Sequence, residues 1–533
     1  MKVLMLGWEF PPHISGGLGT ACHGLTVGLA HAGVEVLFVV PRAYGDESAA
    51  HMRLLGANQV RFLRRVFVPA ADAGPGGDTF GGGVVAGEGS IAATLRGELA
   101  EDLERLEAGS AEVRYLALER LMAGAATESS FTGVRGASSP YDDPGQPRDL
   151  PADVRDRLAQ WFTSGGSTVL QLGERALQKV PTDAAGWRVL SRAIRDAVLA
   201  HSRAPAPSPG PKSGRFEVIE ERLDMAGGYG GDLYAEVARY ALAVGEIAAN
   251  EQFDVIHAHD WITFPAAAVA AEISGKKVVA HVHASEYDRS GDHPNLSVKA
   301  IEQLGLDIAS RVVCVSHYTA SILKRRYRVD PAKLRVVHNA VTQEEQRAQW
   351  HGERNITDPI VLFLGRVTFQ KGPDYFLEAA ARVIKLRPDV LFVVSGSGDM
   401  LPAMVERSAR LGLVRNVVFT GFLRGKSVER MYSMADLYVM PSVSEPFGIT
   451  PLEAMALDVP VIVSRQSGVS EILTHALKVD FWDVEELANK ILAVLEYPAL
   501  RASLVESGRD EVRRMRWELR GELVRDVYQE ILK

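Results

Sequence analysis

The chain has 533 residues, 47% of them apolar, which is enough material for two or three domains with separate cores. A formal net charge of −8 and a pI near 6.0 leave no basic surface for nucleic acid or an anionic membrane, so basic side chains act locally, as pocket groups. The two cysteines, Cys22 and Cys314, stand far apart in apolar surroundings and read as reduced core thiols of a cytoplasmic protein. The opening apolar run 2–7 is cut off by Trp8-Glu9 and Pro11-Pro12, too short for a signal segment, and no later stretch approaches a membrane span.

In chain order, the run 3–7, a Gly- and Pro-rich turn, an apolar-periodic segment 19–32, Gly33 and the run 34–40 predict strand, loop, helix and strand. This is the start of a parallel doubly wound sheet, whose buried strands read as near-continuous Val/Leu/Ile. Runs at 254–258, 277–282, 311–315 and 334–337 extend the same sheet. The stretch 71–214 interrupts it, opening on Gly74-Pro75-Gly76-Gly77 and closing on the Pro-rich 204–211. That composition suits flexible connection around helical pieces at 92–123 and 151–201, which we expect to form a helical insertion packed on the first domain. Part of it, 173–200, resembles one tetratricopeptide unit, and a lone unit of that kind cannot bury its own faces. A second series at 360–364, 390–394, 417–419, 437–440 and 459–463 predicts another Rossmann-like domain after a boundary between 341 and 358. The expected fold class is α/β, with two Rossmann-like domains facing a cleft. The expected division is 1–345 (insertion about 71–214), 346–515, and a C-terminal helix 516–533 packing back on the first domain.

The most informative segment places two acids, Glu445 and Glu453, on either side of Pro446-Phe447-Gly448-Ile449-Thr450-Pro451. The proline after Glu445 disfavours helix there, whereas the residues after Pro451 are strong helix formers. One carboxylate is therefore on a loop and the other in a first helical turn. The intervening backbone N–H groups at the helix start suit a phosphate-bearing ligand, although an ordinary capped helix with acids favoured by the macrodipole also accounts for the pattern. Upstream, Gly365-Arg366 and Lys371-Gly372 leave the carboxyl end of a predicted strand, where open α/β sheets bind ligands, and two cations there match a diphosphate.

Together these residues resemble the E-x7-E and G-R-x4-K-G patterns of retaining nucleotide-sugar glycosyltransferases of the two-Rossmann (GT-B) type. The resemblance implies that Glu445 approaches the donor sugar and that Arg366 and Lys371 stabilise the departing diphosphate. It further implies that Phe447, Gly448, Ile449 and Thr450 contact sugar and distal phosphate, that Glu453 binds ribose hydroxyls, and that Phe422 lies near the nucleobase. In the first domain, Gly16 and Gly17 offer backbone N–H groups to the donor in a loop similar to the K-x-G-G-L loop of glycogen and starch synthases, with Ile14 where those enzymes have lysine. His257-Ala258-His259-Asp260-Trp261 and the segment 280–289 are also similar to those synthases. Asp260 is placed on the acceptor side, and His283, just beyond a buried strand, is the expected sugar-binding histidine.

The expected activity is transfer of a hexosyl unit, glucosyl by preference, from ADP-glucose or UDP-glucose to an α-glucan acceptor with retention, as in a glycogen synthase. The alternatives are a family-4 enzyme acting on another acceptor (sucrose- or trehalose-type, or mannosyl transfer) and a non-catalytic glucan-binding protein. A related phosphorylase would need a Schiff-base lysine motif, which is not evident. No cofactor and no metal are expected, since neither His-Glu-x-x-His nor Asp-x-Asp occurs. Neither nucleic acid nor membrane is an expected partner.

Overall fold

The computed structural model describes residues 1–13, 16–69, 183–202, 214–223, 225–230, 233–341 and 357–533. Ile14 and the expected helix at 92–123 lie outside them.

Strands β1 (Lys2–Leu6), β2 (Glu35–Val40), β3 (Arg53–Gly56), β6 (Val255–His259), β7 (Lys277–Val282), β8 (Ala309–Cys314) and β9 (Leu334–Val336) form one parallel sheet in the order β3-β2-β1-β6-β7-β8-β9. Its chain order reverses between β1 and β6, which pair directly from Val3↔Val255 to Leu6↔Ala258. A crevice at the carboxyl ends of the strands beside such a reversal is where these sheets take ligands. The second sheet, β10 (Ile360–Leu364), β11 (Leu391–Ser395), β12 (Val417–Gly421), β13 (Leu437–Met440), β14 (Val461–Ser464) and β15 (Leu477–Val479), runs β12-β11-β10-β13-β14-β15. Here the reversal falls at the paired strands β10 and β13. Their carboxyl ends lead into the Arg366/Lys371 turn and the Glu445 loop, so the two motifs are neighbours because of strand order alone.

Each sheet is covered on both faces, which is why its strands lack the apolar/polar alternation of half-exposed sheets. One face of the first sheet is covered by the helix Gly17–His31 and by the C-terminal helix Trp517–Leu532. These two helices cross with their backbones nearly touching: a Cβ at Gly28 would lie 2.1 Å from the Trp517 carbonyl oxygen, and one at Gly521 would lie 2.1 Å from the carbonyl carbon of Gly28. Trp517, Val524, Val527, Tyr528 and Ile531 are buried there, and Glu530 accepts from Arg311 at 2.8 Å and also from Arg335. The end of the chain therefore completes the core of the first domain.

The helix Ala184–Ser202, within the expected insertion, packs on the first domain. Its Trp187, Leu190, Ile194 and Val198 are buried in the other core layer of the first sheet, so this piece is a wall of the domain. Deleting all of 71–214 would open that layer. Strands β4 (Arg61–Pro69) and β5 (Gly214–Arg222) pair as an antiparallel ribbon in which Pro69 faces Gly214.

Candidate active site

The helix Thr450–Ala456 begins with Pro451 in its first turn, which also carries Glu453, while Glu445 lies on the preceding loop. Glu445 is held by its backbone: its N–H donates to the Gln466 carbonyl at 2.9 Å and its carbonyl accepts from Gly468 at 2.9 Å. The 6% exposed Glu445 then meets Lys371, whose Nζ stands 2.5 Å from Oε2, with Ser442 Oγ donating to the same oxygen at 3.3 Å. Arg366, exposed in the same turn, donates to Gln370 Oε1 at 3.2 Å. The Gln370 carbonyl in turn accepts from Val443 at 2.9 Å, tying the cationic turn to the carboxylate loop. The partly buried Glu453 accepts from the Tyr432 hydroxyl at 3.1 Å, and burial raises its carboxyl above the usual range while that hydrogen bond opposes the rise. The Tyr438 hydroxyl lies 2.8 Å from Thr450 Oγ1 and 3.2 Å from the Leu364 carbonyl, fixing the helix start to the end of β10. Gly448 takes φ 97, where side chains are strained, and Phe447 is buried. Ile449 and Thr450 are partly buried; Phe422 is half exposed, with the Arg424 guanidinium 5.2 Å from its ring centre.

The glycines of Ser395-Gly396-Ser397-Gly398 have a local reason. A Cβ at Gly396 would sit 1.8 Å from the Gly365 carbonyl oxygen and one at Gly398 2.3 Å from that of Val367, so this turn is packed under the Arg366 turn. Gly16 and Gly17 are different: a Cβ at either meets no described atom within 4 Å. Packing among the described residues does not require glycine there.

In the first domain, four histidines cluster at the ends of β6 and β7. His257 Nδ1 contacts the Tyr528 hydroxyl at 2.6 Å, His257 Nε2 lies 3.1 Å from His281 Nδ1, and His259 Nδ1 lies 2.9 Å from His283 Nε2. Burial lowers the proton affinity of all four rings, that of His283 to about 3, so they are neutral at physiological pH. His257, His259 and His281 could each turn a ring nitrogen to one metal ion, as could His259 and His283 together with Cys22. Asp260 follows β6 in the left-handed region (φ 58), and its Oδ1 accepts from the His283 N–H at 2.6 Å and the Ala284 N–H at 3.3 Å. It thereby builds the turn that carries His283. Burial pushes the Asp260 carboxyl up to about 6, against the pull of Arg289 and of those two N–H groups.

Behind Asp260, the buried Glu302 accepts from Arg289 Nη2 at 2.9 Å and from the Tyr327 hydroxyl. Burial raises its carboxyl to about 8, with Arg289 opposing and Glu286 adding to the rise. A folded value above the unfolded 4.5 means that Glu302 stabilises the fold fully below pH 4.5 and that this contribution is lost as pH rises through about 8. Glu302→Gln, which stays neutral, should therefore gain stability relative to wild type between pH 5 and pH 8.5. Denaturant midpoints at the two pH values check this, and a constant difference would show that Glu302 is ionised throughout.

The remaining contacts join the two domains. The turn Phe369–Lys371 packs against the short helix Glu286–Ser290. Ser444 Oγ donates to Asp288 Oδ1 at 2.7 Å, and Glu471 accepts from the N–H groups of His317 (2.9 Å) and Tyr318 (2.5 Å). These partners escape sequence reasoning. Asp288 stands inside the segment 280–289 and Ser444 directly precedes Glu445, without any sign that they meet, and Tyr318 and Glu471 carry no signal at all.

Two sheets wound in this way, each with a reversal of strand order, match a solved structure along nearly its whole length. Sucrose-phosphate synthase from Thermosynechococcus elongatus superposes with a TM-score of 0.58 at 16% identity, covering 99% of this chain and 98% of that one. The fold is the GT-B fold of glycosyltransferases. Residues 344–511 match the family model of glycosyl transferases group 1, residues 190–345 that of glycosyltransferase family 4, and residues 2–72 that of the starch synthase catalytic domain. An uncharacterized glycosyltransferase of Methanocaldococcus jannaschii is 32% identical over 238 residues, covering 42% of this chain and 61% of that protein, so the match spans less than two thirds of that relative. A D-inositol 3-phosphate glycosyltransferase of Saccharomonospora viridis is 27% identical over 347 residues, 60% of this chain and 78% of that protein. Among the described residues no helix is long and apolar enough to cross a membrane.

Proposed function

We propose that the protein transfers a hexosyl unit, glucosyl by our reading, from a nucleoside diphosphate sugar to an acceptor hydroxyl with retention at the anomeric carbon. The observation that carries this reading is the approach of Lys371 Nζ to 2.5 Å from Glu445 Oε2, which joins a cation suited to the diphosphate and a carboxylate suited to the sugar in one site. Bound donor would lay its distal phosphate against Lys371 and Arg366 and its sugar beside Glu445. As the bond from the anomeric carbon to phosphate oxygen breaks, negative charge grows on the phosphate, where fixed cations stabilise it more than they stabilise the ground state. The carboxylate of Glu445 stabilises the positive charge developing on the sugar ring. The acceptor oxygen bonds to the anomeric carbon on the face the phosphate leaves, and the acceptor proton passes to the departing phosphate oxygen, which balances the step without a second protein carboxylate.

Glu453 stands against Tyr432, in keeping with a ribose-binding role rather than that of a paired acid. The open space at Gly16 and Gly17 suits close approach of the donor to backbone N–H groups. His283 and Asp260 form the acceptor side in this reading. An α-glucan is the proposed acceptor and ADP-glucose or UDP-glucose the proposed donor. Neither a cofactor nor a metal enters the step as written.

A donor screen with UDP-, ADP- and GDP-sugars, using maltoheptaose and glycogen as acceptors, tests the proposal. The expected result is release of the nucleoside diphosphate with an α-linked product by proton NMR. A β-linked product would overturn retention, and silence with every donor would overturn the transferase reading.

A further inference from the structure

Glu445 is flanked by two residues that both bond to the other domain. On one side, Ser444 Oγ gives its single proton to Asp288 Oδ1 at 2.7 Å, so the Tyr318 hydroxyl, 3.0 Å away, donates to Ser444. On the other side, the Pro446 carbonyl accepts from Ser316 Oγ at 2.6 Å and from Thr319 Oγ1 at 3.3 Å. Asp288 is itself fixed, its second oxygen accepting from the Ser285 N–H (2.8 Å) and hydroxyl (2.7 Å), and it is 1% exposed. The interface has no slack behind the loop, since a Cβ at Gly468 would lie 2.4 Å from Ser316 Cβ and 2.1 Å from the Pro446 oxygen. Within its own domain the backbone of Glu445 is tied on one edge only, through Gln466 and Gly468.

We propose that Asp288, Tyr318 and Ser316 of the first domain are positioning residues that set the carboxylate of Glu445 for transfer, acting through Ser444 and the Pro446 carbonyl. The domain holding the acceptor thereby places the reacting group of the domain holding the donor. A donor bound to the second domain alone meets a carboxylate still held by Lys371, Ser442, Gln466 and Gly468, but the Ser444 hydroxyl and the Pro446 carbonyl beside it lack their first-domain partners, and the final placement of the carboxylate is completed when the two domains are joined. This limits turnover of the donor without acceptor domain contact. The inference rests on the transferase reading above.

The test uses the full chain and whichever of the UDP-, ADP- or GDP-sugars the wild type turns over. Tyr318→Phe and Ser444→Ala should each lower kcat by about tenfold or more, because displacement of a reacting group by an ångström costs up to about 10²-fold. KM for the donor should stay within about threefold, since neither hydroxyl faces the diphosphate cations. Because both act through one hydroxyl, the double variant should lose scarcely more than the worse single variant, and Ser444→Thr, which keeps the hydroxyl, should recover most of kcat. Tyr318→Phe removes one hydrogen bond and leaves the fold intact, so its circular dichroism and melting transition should match wild type. Unchanged kcat in Tyr318→Phe and Ser444→Ala, or losses that multiply in the double variant, would overturn the positioning role while leaving the transferase reading in place. A wild type inert to all three donor classes would instead defeat that reading, and this inference with it.

Discussion

Glu445→Gln abolishes most of the transfer activity while leaving nucleotide binding intact or tighter. Transfer should fall on the order of 10²-fold or more, the range seen when one preorganised charge-stabilising group is removed. The second half of the expectation follows from the ion pair. On the proposed mechanism a diphosphate would compete with Glu445 for Lys371, and the glutamine isostere cannot hold the ammonium as strongly as the carboxylate does. Affinity for the nucleoside diphosphate should then be unchanged or higher by up to about tenfold, equivalent to about 1.4 kcal/mol. Steady-state rates and calorimetric titration of the variant check both halves. Wild-type turnover would reduce the loop to a capped helix start, and lost nucleotide affinity would mean that Glu445 belongs to the binding surface instead.

The two cations should separate from each other by stability. Removing either Arg366 or Lys371 by substitution with Ala should lower turnover on the order of 10²-fold, because on the proposed mechanism each would face the charge that grows on the leaving diphosphate. Lys371→Ala also leaves the buried Glu445 carboxylate without its cation, and breaking such a pair costs about 3–5 kcal/mol when the charge stays buried. Lys371 keeps 18% of its side-chain surface exposed, so solvent softens that figure. Arg366 is exposed and its partner in this structure, Gln370, is neutral, so Arg366→Ala should melt like wild type. Equal turnover to wild type at saturating donor in both variants, or equal stability losses, would contradict this division of labour.

Much of this was legible in the sequence because buried parallel strands have nothing to alternate with. The runs at 3–7, 36–40 and 360–364 are apolar throughout since helices cover both faces of each sheet. Glu445, Arg366 and Lys371 were visible through their motif patterns at a helix start and a strand end, whereas their being neighbours follows from the pairing of β10 with β13. Composition was less informative at the helix Ala184–Ser202. Glycine- and proline-rich flanks marked a helical insertion packed on the first domain, but not how deeply Trp187 and Ile194 enter its core. The Gly396 turn was ambiguous for the opposite reason, as a glycine that admits a neighbouring turn looks the same in sequence as one that admits a ligand. Contacts such as Ser316 to Pro446 and Tyr318 to Ser444 depend on how two domains dock. No local periodicity or motif encodes a pairing of that kind.

The central claim is that Lys371 and Glu445 meet in order to handle a nucleoside diphosphate sugar. Calorimetric titration of UDP, ADP and GDP into the full chain and into Lys371→Ala tests it most directly. The account predicts saturable binding of at least one of the three by the wild type, weakened by about tenfold or more in the variant. Failure of all three to bind, or equal affinity in both proteins, would contradict it.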